Sequence, residues 1–239
     1  MQRYSEILRT LLEKRGIKNQ EEAEAFLSPS YERDFHDPFL MRDMEKACVR
    51  IYEAMEAGEK IIIYADYDSD GIPGAVILSD LFKKVNYKNY KVYIPQRNSE
   101  GYGLNFSSVK QFVEEGVKLL ITIDLGITAV AEVAQLEVDG IDVIITDHHL
   151  PIKSSPPEKF SRVLGLEPDQ LENSLVASDF TLPRAYAILN PKVDDYPEKM
   201  LCGAGVVFKL VQAFVKKYGE LYKINSGWEK WTLDMAGIA

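Results

Sequence analysis

The stretch KIIIYADYDSDG, residues 60–71, determines the fold class of this chain. Its first half, Lys60–Ala65, is a continuous apolar run, which is typical of a strand buried on both faces of a sheet. Its second half is acidic and leads through Gly71 into a helical pattern. Strands of this kind occur in parallel sheets that are covered by helices, so the stretch favours an α/β protein.

Strands and helices alternate downstream of this stretch. Further strands are predicted at 90–94, 118–123, 141–146 and 185–189. Helices are predicted at 76–82, from Ser107 or Ser108 to Glu115, at 129–138, at 206–217 and from Trp228 onward. This alternation predicts an α/β fold with a doubly wound, mainly parallel sheet flanked by helices.

The N-terminal part has a different pattern. Residues 1–58 are predicted to form a helical segment packed on the core, ahead of a domain at 59–239. Its helices are predicted at 4–15, from an Asn19 cap to Leu27, and at 43–57, where an apolar face is clear. Residues 151–183 interrupt the later alternation and are predicted as a long loop or insertion, in which 168–175 could hold a turn of helix.

Composition and charge narrow the function classes. The 239 residues carry a net charge of −9, which argues against a protein that coats nucleic acid with a broad basic surface. An enzyme whose bound metal ions supply positive charge remains compatible with this balance. No apolar run reaches the roughly 18–20 residues that span a bilayer, and the charged N-terminus does not resemble a signal peptide. With only Cys48 and Cys202, a reducing, cytoplasmic location is a plainer interpretation than one disulfide.

Three clusters of acidic residues and histidines each follow a predicted strand directly. They are Asp66-Tyr67-Asp68-Ser69-Asp70 after the first strand, Asp124-Leu125-Gly126 after the third and Asp147-His148-His149 after the fourth. Ligands of a doubly wound sheet bind beyond the carboxyl ends of its strands. We therefore expect all three clusters to converge on one crevice.

Packing five aspartates and two histidines together is electrostatically costly unless cations are bound. Carboxylates with imidazole suit Mn²⁺ or Mg²⁺, and Zn²⁺ is an alternative, although no cysteine lies near enough in sequence for a structural zinc site. Two such ions, about 3.5–4 Å apart, commonly activate water against a phosphorus centre. The first cluster is also compatible with a calcium loop or a solvated turn, but Ile77 stands where an EF-hand requires glutamate.

Two loops carry candidate substrate contacts. Arg97 follows the second strand, where its guanidinium could bind a phosphate, and Tyr102 lies between glycines, where its ring could stack on a base. In such positions both residue types are more often ordinary loop features than ligand contacts. Residues 71–74, at the start of a helix, could either hold a phosphate or form a simple tight turn.

The three motifs together resemble those of the DHH phosphoesterases, with Asp147-His148-His149 as the signature. More narrowly, the chain resembles the RecJ branch of bacterial single-strand-specific exonucleases. The stretches that carry this narrower resemblance are 22–27, 36–40, 100–104, 147–151 and 202–206.

The resemblance implies a 5′→3′ exonuclease on single-stranded DNA that uses two Mn²⁺ or Mg²⁺ ions. The implied roles are Asp68 on one ion, Asp70 and His148 on the other, Asp124 bridging, His149 near the scissile phosphate, and Asp66 and Asp147 as supporting carboxylates. The partner is single-stranded DNA, with single-strand-binding protein or a repair helicase as candidate protein partners, and no membrane.

The sequence departs from the family pattern at two places. Tyr64 stands where many relatives have histidine, and residues 231–239 resemble the approach to a fourth motif whose metal-binding aspartate would come later; Asp234 is not in its register. We therefore expect a catalytic half that lacks the fourth motif and the second domain. The alternatives are a DHH phosphoesterase acting on short oligonucleotides, cyclic dinucleotides or pyrophosphate, or an inactive DHH scaffold.

Overall fold

The computed structural model describes residues 3–153, 176–177 and 180–239. The chain divides into two compact units, Met1–Asp37 and Pro38–Ala239. The helix turn predicted at 168–175 lies outside the described residues, and the boundary predicted after residue 58 stays a prediction. None of the helices in the described ranges is long and apolar enough to cross a membrane.

Within residues 3–37 the first unit contains three helices, α1 (Glu6–Lys14), α2 (Gln20–Leu27) and α3 (Tyr31–Asp34). The predicted cap of α2 is confirmed, because the Asn19 side chain accepts a hydrogen bond from the backbone N–H of Glu22 at 2.8 Å. The helix predicted at 4–15 is shorter, since Ser5 caps α1 and residues 3–4 are not helical.

The second unit is built on a parallel sheet. Its strands and helices in chain order are α4 (Met44–Glu56), β1 (Lys60–Ala65), α5 (Gly71–Lys84), β2 (Tyr90–Tyr93), α6 (Phe106–Glu114), β3 (Val117–Ile123), α7 (Val130–Val138), β4 (Asp142–Thr146), β5 (Ile152–Lys153), β6 (Val176–Ala177), β7 (Phe180–Thr181), β8 (Ala187–Leu189), α8 (Gly203–Tyr218) and α9 (Leu233–Ile238). The sheet order is β2-β1-β3-β4-β8, with every neighbouring pair parallel. The predicted fold class is confirmed.

Helices cover both faces of the sheet. On one face α6 and α7 pack against Ile62, Tyr64 and Leu120. On the other face α5 contacts β1, while α8 contacts β3 and β4 and packs beside α4 and α5. This double cover explains why β1, β3 and β4 are buried at nearly every position and carry a continuous apolar run. The predicted core face of α4 is fully buried: Met44, Ala47, Cys48, Ile51, Ala54 and Met55.

Other predicted elements also differ from the structure, including α8, which begins at Gly203, and β8, which begins at Ala187. Helix α5 begins at Gly71 rather than at residue 76, so it follows the acidic cluster without a connecting loop. The region predicted as a loop at 151–183 contains a small antiparallel sheet of order β5-β7-β6. The C-terminal helix consists of a 3₁₀ helix, Trp228–Thr232, followed by α9.

The N-cap of α6 also differs from the prediction, because neither Ser107 nor Ser108 occupies that position. Asn105 does, by accepting a hydrogen bond from the backbone N–H of Ser108 at 2.9 Å. Its amide also donates to the hydroxyl of Tyr64 at 3.2 Å. Asparagine is a preferred cap because its short side chain reaches the free N–H groups of the first turn.

We expect Asn105→Ala to lower the free energy of unfolding by about 1–2 kcal/mol, because both the cap and the bond to Tyr64 are lost. Ser107→Ala, two residues on, is the control: it removes only an exposed hydroxyl that donates to Oδ1 of Asn105 at 2.6 Å, leaves the cap in place and should cost only a few tenths of a kcal/mol. Urea denaturation measures both values. A larger loss for the Ser107 variant would show that the cap is assigned to the wrong residue.

Candidate metal centre

The three predicted clusters meet at the carboxyl edge of the sheet. The backbone N–H of Asp66 donates to Ile123, that of Asp124 to Thr146 and that of Asp147 to Leu189. These bonds extend the pairing of β1, β3, β4 and β8 by one residue each. The first aspartate of every cluster is therefore fixed directly beyond a buried strand, as the strand-end rule predicts.

Asp124 lies at the middle of the site. Two groups of side chains each bring their ligand atoms within 4.8 Å of one another: Asp66, Asp68 and Asp124 form one, and Asp124, His148 and His149 form the other. Nε2 of His148 lies 3.2 Å from Oδ1 of Asp124. One shared carboxylate between two donor groups is the arrangement expected for a bridging ligand.

The backbone of Asp124 is in the left-handed region, with φ of 61°. Non-glycine residues seldom adopt this conformation, and where they do it often marks a functional site. Gly203, at the start of α8, permits the close approach, because a Cβ there would lie 2.6 Å from both Cβ and Oδ1 of Asp124. The turn after β3 and the first turn of α8 together set the direction of this carboxylate.

The Asp124 carboxylate fits a cation. It is 2% exposed, and its Oδ1 receives no well-aligned hydrogen bond from the described residues, the nearest donor atom being Nε2 of His148 at 3.2 Å. Burial raises its pKa from 3.8 to about 6, and the nearby Asp70 carboxylate adds to the rise, which His148 partly offsets. An ionised carboxylate in such a place is costly unless a positive charge joins it. Oxygen ligands with imidazole suit Mn²⁺ or Mg²⁺.

Asp147 orients His149. Its Oδ1 lies 2.8 Å from Nδ1 of His149 and also accepts the backbone N–H groups of His148 and His149, while Oδ2 accepts from Ile127. Burial disfavours ionisation of Asp147, but these bonds outweigh it and hold its pKa below the ordinary value. The hydrogen bond to the Asp147 carboxylate in turn raises the pKa of His149 above its ordinary value of 6.5. The contact fixes the orientation of the His149 ring, and the supporting role of Asp147 stays a prediction.

Asp68 and Asp70 hold the turn between β1 and α5. Oδ1 of Asp68 accepts from the backbone N–H groups of Asp70 and Gly71. The Asp70 carboxylate accepts from Gly203 at 2.9 Å and Ala204 at 2.7 Å, and its Oδ2 lies 3.5 Å from Nε2 of His148. Because Asp68 already takes the free N–H of Gly71, the structure favours a tight turn over a phosphate site at 71–74.

The buried member of the first cluster is Asp66, which is 3% exposed. Its Oδ1 accepts from the backbone N–H of Tyr67, while burial and the Asp68 carboxylate raise its pKa. The donor groups thus include Asp66 and His149 as well as the predicted Asp68, Asp124 and His148. Asp70 lies outside both groups, so its assignment to an ion stays a prediction.

The two predicted substrate contacts lie near this edge. The Arg97 guanidinium lies over the ring of Tyr67, 5.4 Å from its centre. Tyr102 is 57% exposed on a loop whose flanking glycines have positive φ. Burial of its hydroxyl, with Asp66 and Asp147 among the nearby carboxylates, raises the pKa of Tyr102. Both side chains therefore remain candidates for contacting a substrate.

The sequence prediction missed two residues that support the candidate metal centre. The fully buried Asn190 donates its side-chain N–H to the carbonyl of His149 at 2.9 Å. Because Asn190 follows β8 directly, the strand-end rule contained the signal for it. Tyr64, the residue at the family's histidine position, donates its hydroxyl to the carbonyl of Gly103 and so supports the loop that carries Tyr102. No sequence pattern indicated that contact.

We expect Mn²⁺ affinity to fall as the pH is lowered through about 6. The raised pKa of Asp124 means that a proton competes with the ion for this carboxylate. One competing proton lowers the apparent affinity about tenfold for each pH unit below that pKa. Calorimetric titrations at pH 7.5, 6.5 and 5.5 measure the effect, and an affinity that is unchanged at pH 5.5 would contradict it.

Comparison with known proteins identifies the family. A model of the DHH family, N-terminal domain, matches residues 60–238. The single-stranded-DNA-specific exonuclease RecJ of Bacillus subtilis (strain 168) is 38% identical over 217 residues, which are 90% of this chain and 24% of that protein. The chain spans about a quarter to a third of the length of the curated relatives it matches.

Solved structures agree in fold. A crystal structure of exonuclease RecJ bound to manganese is 25% identical with a TM-score of 0.60, covering 82% of this chain and 47% of that one. RecJ in complex with Mn²⁺ from Thermus thermophilus is 24% identical with a TM-score of 0.65, covering 94% and 26%. The second likeness shows the fold alone.

Proposed function

The chain belongs to the DHH family, and on that premise we propose that it is a metal-dependent phosphodiesterase that degrades single-stranded DNA from the 5′ end. The observation that carries the proposal is the shared Asp124 carboxylate, which two donor groups of aspartate and histidine flank. The curated relatives named as single-stranded-DNA-specific exonucleases support the substrate class.

The residues that would hold the metal ions come from three strand ends. Asp68 would bind one ion, His148 with Asp70 the other, and Asp124 both. Asp66 lies close enough to join the first group, and its burial favours a supporting role. When bound, the two ions supply an activated water and neutralise charge on the phosphate. Manganese in the RecJ structure of 25% identity supports the choice of Mn²⁺, and the same oxygen-rich ligands suit Mg²⁺.

The chain's own residues position the substrate and a proton. The hydrogen bond to Asp147 occupies Nδ1 of His149, so Nε2 is the ring nitrogen left to contact a phosphate oxygen. The hydrogen bond to Asp147 raises the pKa of His149, which favours its protonated, donating form. Arg97 and Tyr102 would bind the phosphate and stack on a base.

The cellular setting follows from the same resemblance. We infer a cytoplasmic protein of DNA repair and recombination, with single-strand-binding protein or a repair helicase as candidate partners. The net charge of −9 implies that positive charge from the ions and from Arg97 contributes to strand binding within this chain.

A metal titration followed by a substrate panel tests the proposal. We expect Mn²⁺ to bind, and a 5′-phosphorylated single strand to be shortened with release of mononucleotides, while a blunt duplex resists. Faster turnover of a dinucleotide, a cyclic dinucleotide or pyrophosphate would assign the chain to another branch of the family. Mn²⁺ binding without cleavage of any substrate would overturn the nuclease assignment and favour a scaffold.

A further inference from the structure

A cavity of about 360 Å³ opens next to the metal centre, on the side of His149. It lies between the loop that carries Tyr102 and the first turn of α7. Asp147 and His149 form its border with the centre. Its volume falls in the range of about 300–1,000 Å³ that is typical of small-molecule sites.

The walls of this cavity are chemically divided. Leu104, Leu125 and the ring of Tyr102 provide apolar and aromatic surface, while Thr128 and Glu132 provide polar atoms. A planar heterocycle requires both features, because its face stacks on an aromatic ring and its edge forms hydrogen bonds. A sugar phosphate alone would leave the apolar wall unused.

Glu132 is the charged side chain of the cavity wall whose role the metal centre does not explain. It lies in the first turn of α7, where its carboxylate accepts a hydrogen bond from its own backbone N–H. No ion pair joins it to a basic side chain within the described part of the chain. The side chain is half-buried, and this burial raises its pKa because water does not fully solvate the carboxylate.

We propose that this cavity takes the nucleobase of the nucleotide whose phosphate lies at the metal centre, and that Glu132 selects bases that carry an exocyclic amino group. The inference rests on the proposed function, since the cavity borders the same centre. Tyr102 would stack on the base, and the Glu132 carboxylate would accept a hydrogen bond from the amino group. Cytosine presents such a donor at N4, whereas thymine presents an oxygen acceptor there.

Two pyrimidine nucleotides of similar size provide the test. The chain is titrated calorimetrically in Mg²⁺ with dCMP, dTMP and 2-deoxyribose 5-phosphate. We expect dCMP to bind about tenfold more tightly than dTMP, and both to bind more tightly than the sugar phosphate. Glu132→Gln should remove the preference for dCMP, because an amide offers a donor as well as an acceptor.

The control variant is Glu137→Gln, on the same helix, which should bind all three compounds as the parent chain does. Tyr102→Leu, at a largely exposed side chain, should reduce the affinity of both nucleotides to that of the sugar phosphate. Equal binding of dCMP and dTMP to the parent chain, absence of binding, or a preference that survives Glu132→Gln would each overturn the inference.

Cleavage is measured separately, so that the two proposals fail independently. A chain that degrades single strands yet binds dCMP and dTMP equally would keep the proposed function and lose this inference. A preference for dCMP that Glu132→Gln abolishes would uphold the inference even if no strand were cleaved.

Discussion

Asp124→Asn should abolish Mn²⁺ binding, with a loss of affinity of at least about 100-fold. Asp124 is the member common to both donor groups, so its removal leaves neither with a complete set of carboxylates. Asparagine keeps the shape of the side chain and tolerates the left-handed backbone at φ of 61° better than alanine does. The loss can therefore be attributed to the missing charge.

The same substitution should stabilise the metal-free chain. A carboxyl whose pKa is raised from 3.8 to about 6 binds its proton more tightly when folded, so the folded state loses stability as the pH rises through this window. At pH 7.5 this unfavourable contribution is fully present, and Asn removes it. We expect a gain of about 2 kcal/mol in the free energy of unfolding without metal.

Calorimetry with Mn²⁺ and denaturation with and without metal test both effects. The matched control is Asp139→Asn, an exposed carboxylate at the end of α7, which should change neither quantity beyond about 0.5 kcal/mol. Retention of Mn²⁺ affinity by Asp124→Asn would contradict the bridging assignment. A less stable metal-free variant would show that the carboxylate has a partner other than a cation.

Gly203→Ala should disrupt the metal centre from the side of α8. The added Cβ would meet Cβ and Oδ1 of Asp124 at 2.6 Å, closer than carbon atoms approach in folded proteins. The backbone N–H of Gly203 also donates to Asp70, so displacement of α8 disturbs a second candidate ligand. We expect a loss of about 1–3 kcal/mol in the free energy of unfolding and a 10–100-fold loss of Mn²⁺ affinity.

Gly205→Ala, in the same first turn of α8, is the matched control. Its Cβ would lie 3.3 Å from Cδ2 of Leu201, the end of a flexible side chain that can move aside. Alanine also favours the helix over glycine by about 0.5–1 kcal/mol, so this variant should be as stable as the parent and bind Mn²⁺ equally. Equal behaviour of the two alanine variants would refute a specific contact between Gly203 and Asp124.

The sequence predicted the fold class and most of the candidate centre for one reason. In a parallel sheet that is covered on both faces, each strand is an apolar run, and the residue after each run lies at the ligand-binding edge. Asp66, Asp124 and Asp147 satisfied this rule and lie where it places them. The boundaries were less accurate, although the contacts at them are local: Asn105 caps α6 through Ser108, three residues on, and Gly71 lies against the backbone of Asp66.

The sequence by itself thus determined which side chains reach the carboxyl edge of the sheet, because strand length and apolar periodicity are local properties. Tertiary structure alone decided how they are held. Asp70 meets the start of α8 across 133 positions of sequence, and Asn190 reaches His149 across 41. Glu132 and Tyr102 likewise come to one cavity from separate elements. Such contacts depend on how distant segments pack, and no short window of sequence specifies that geometry.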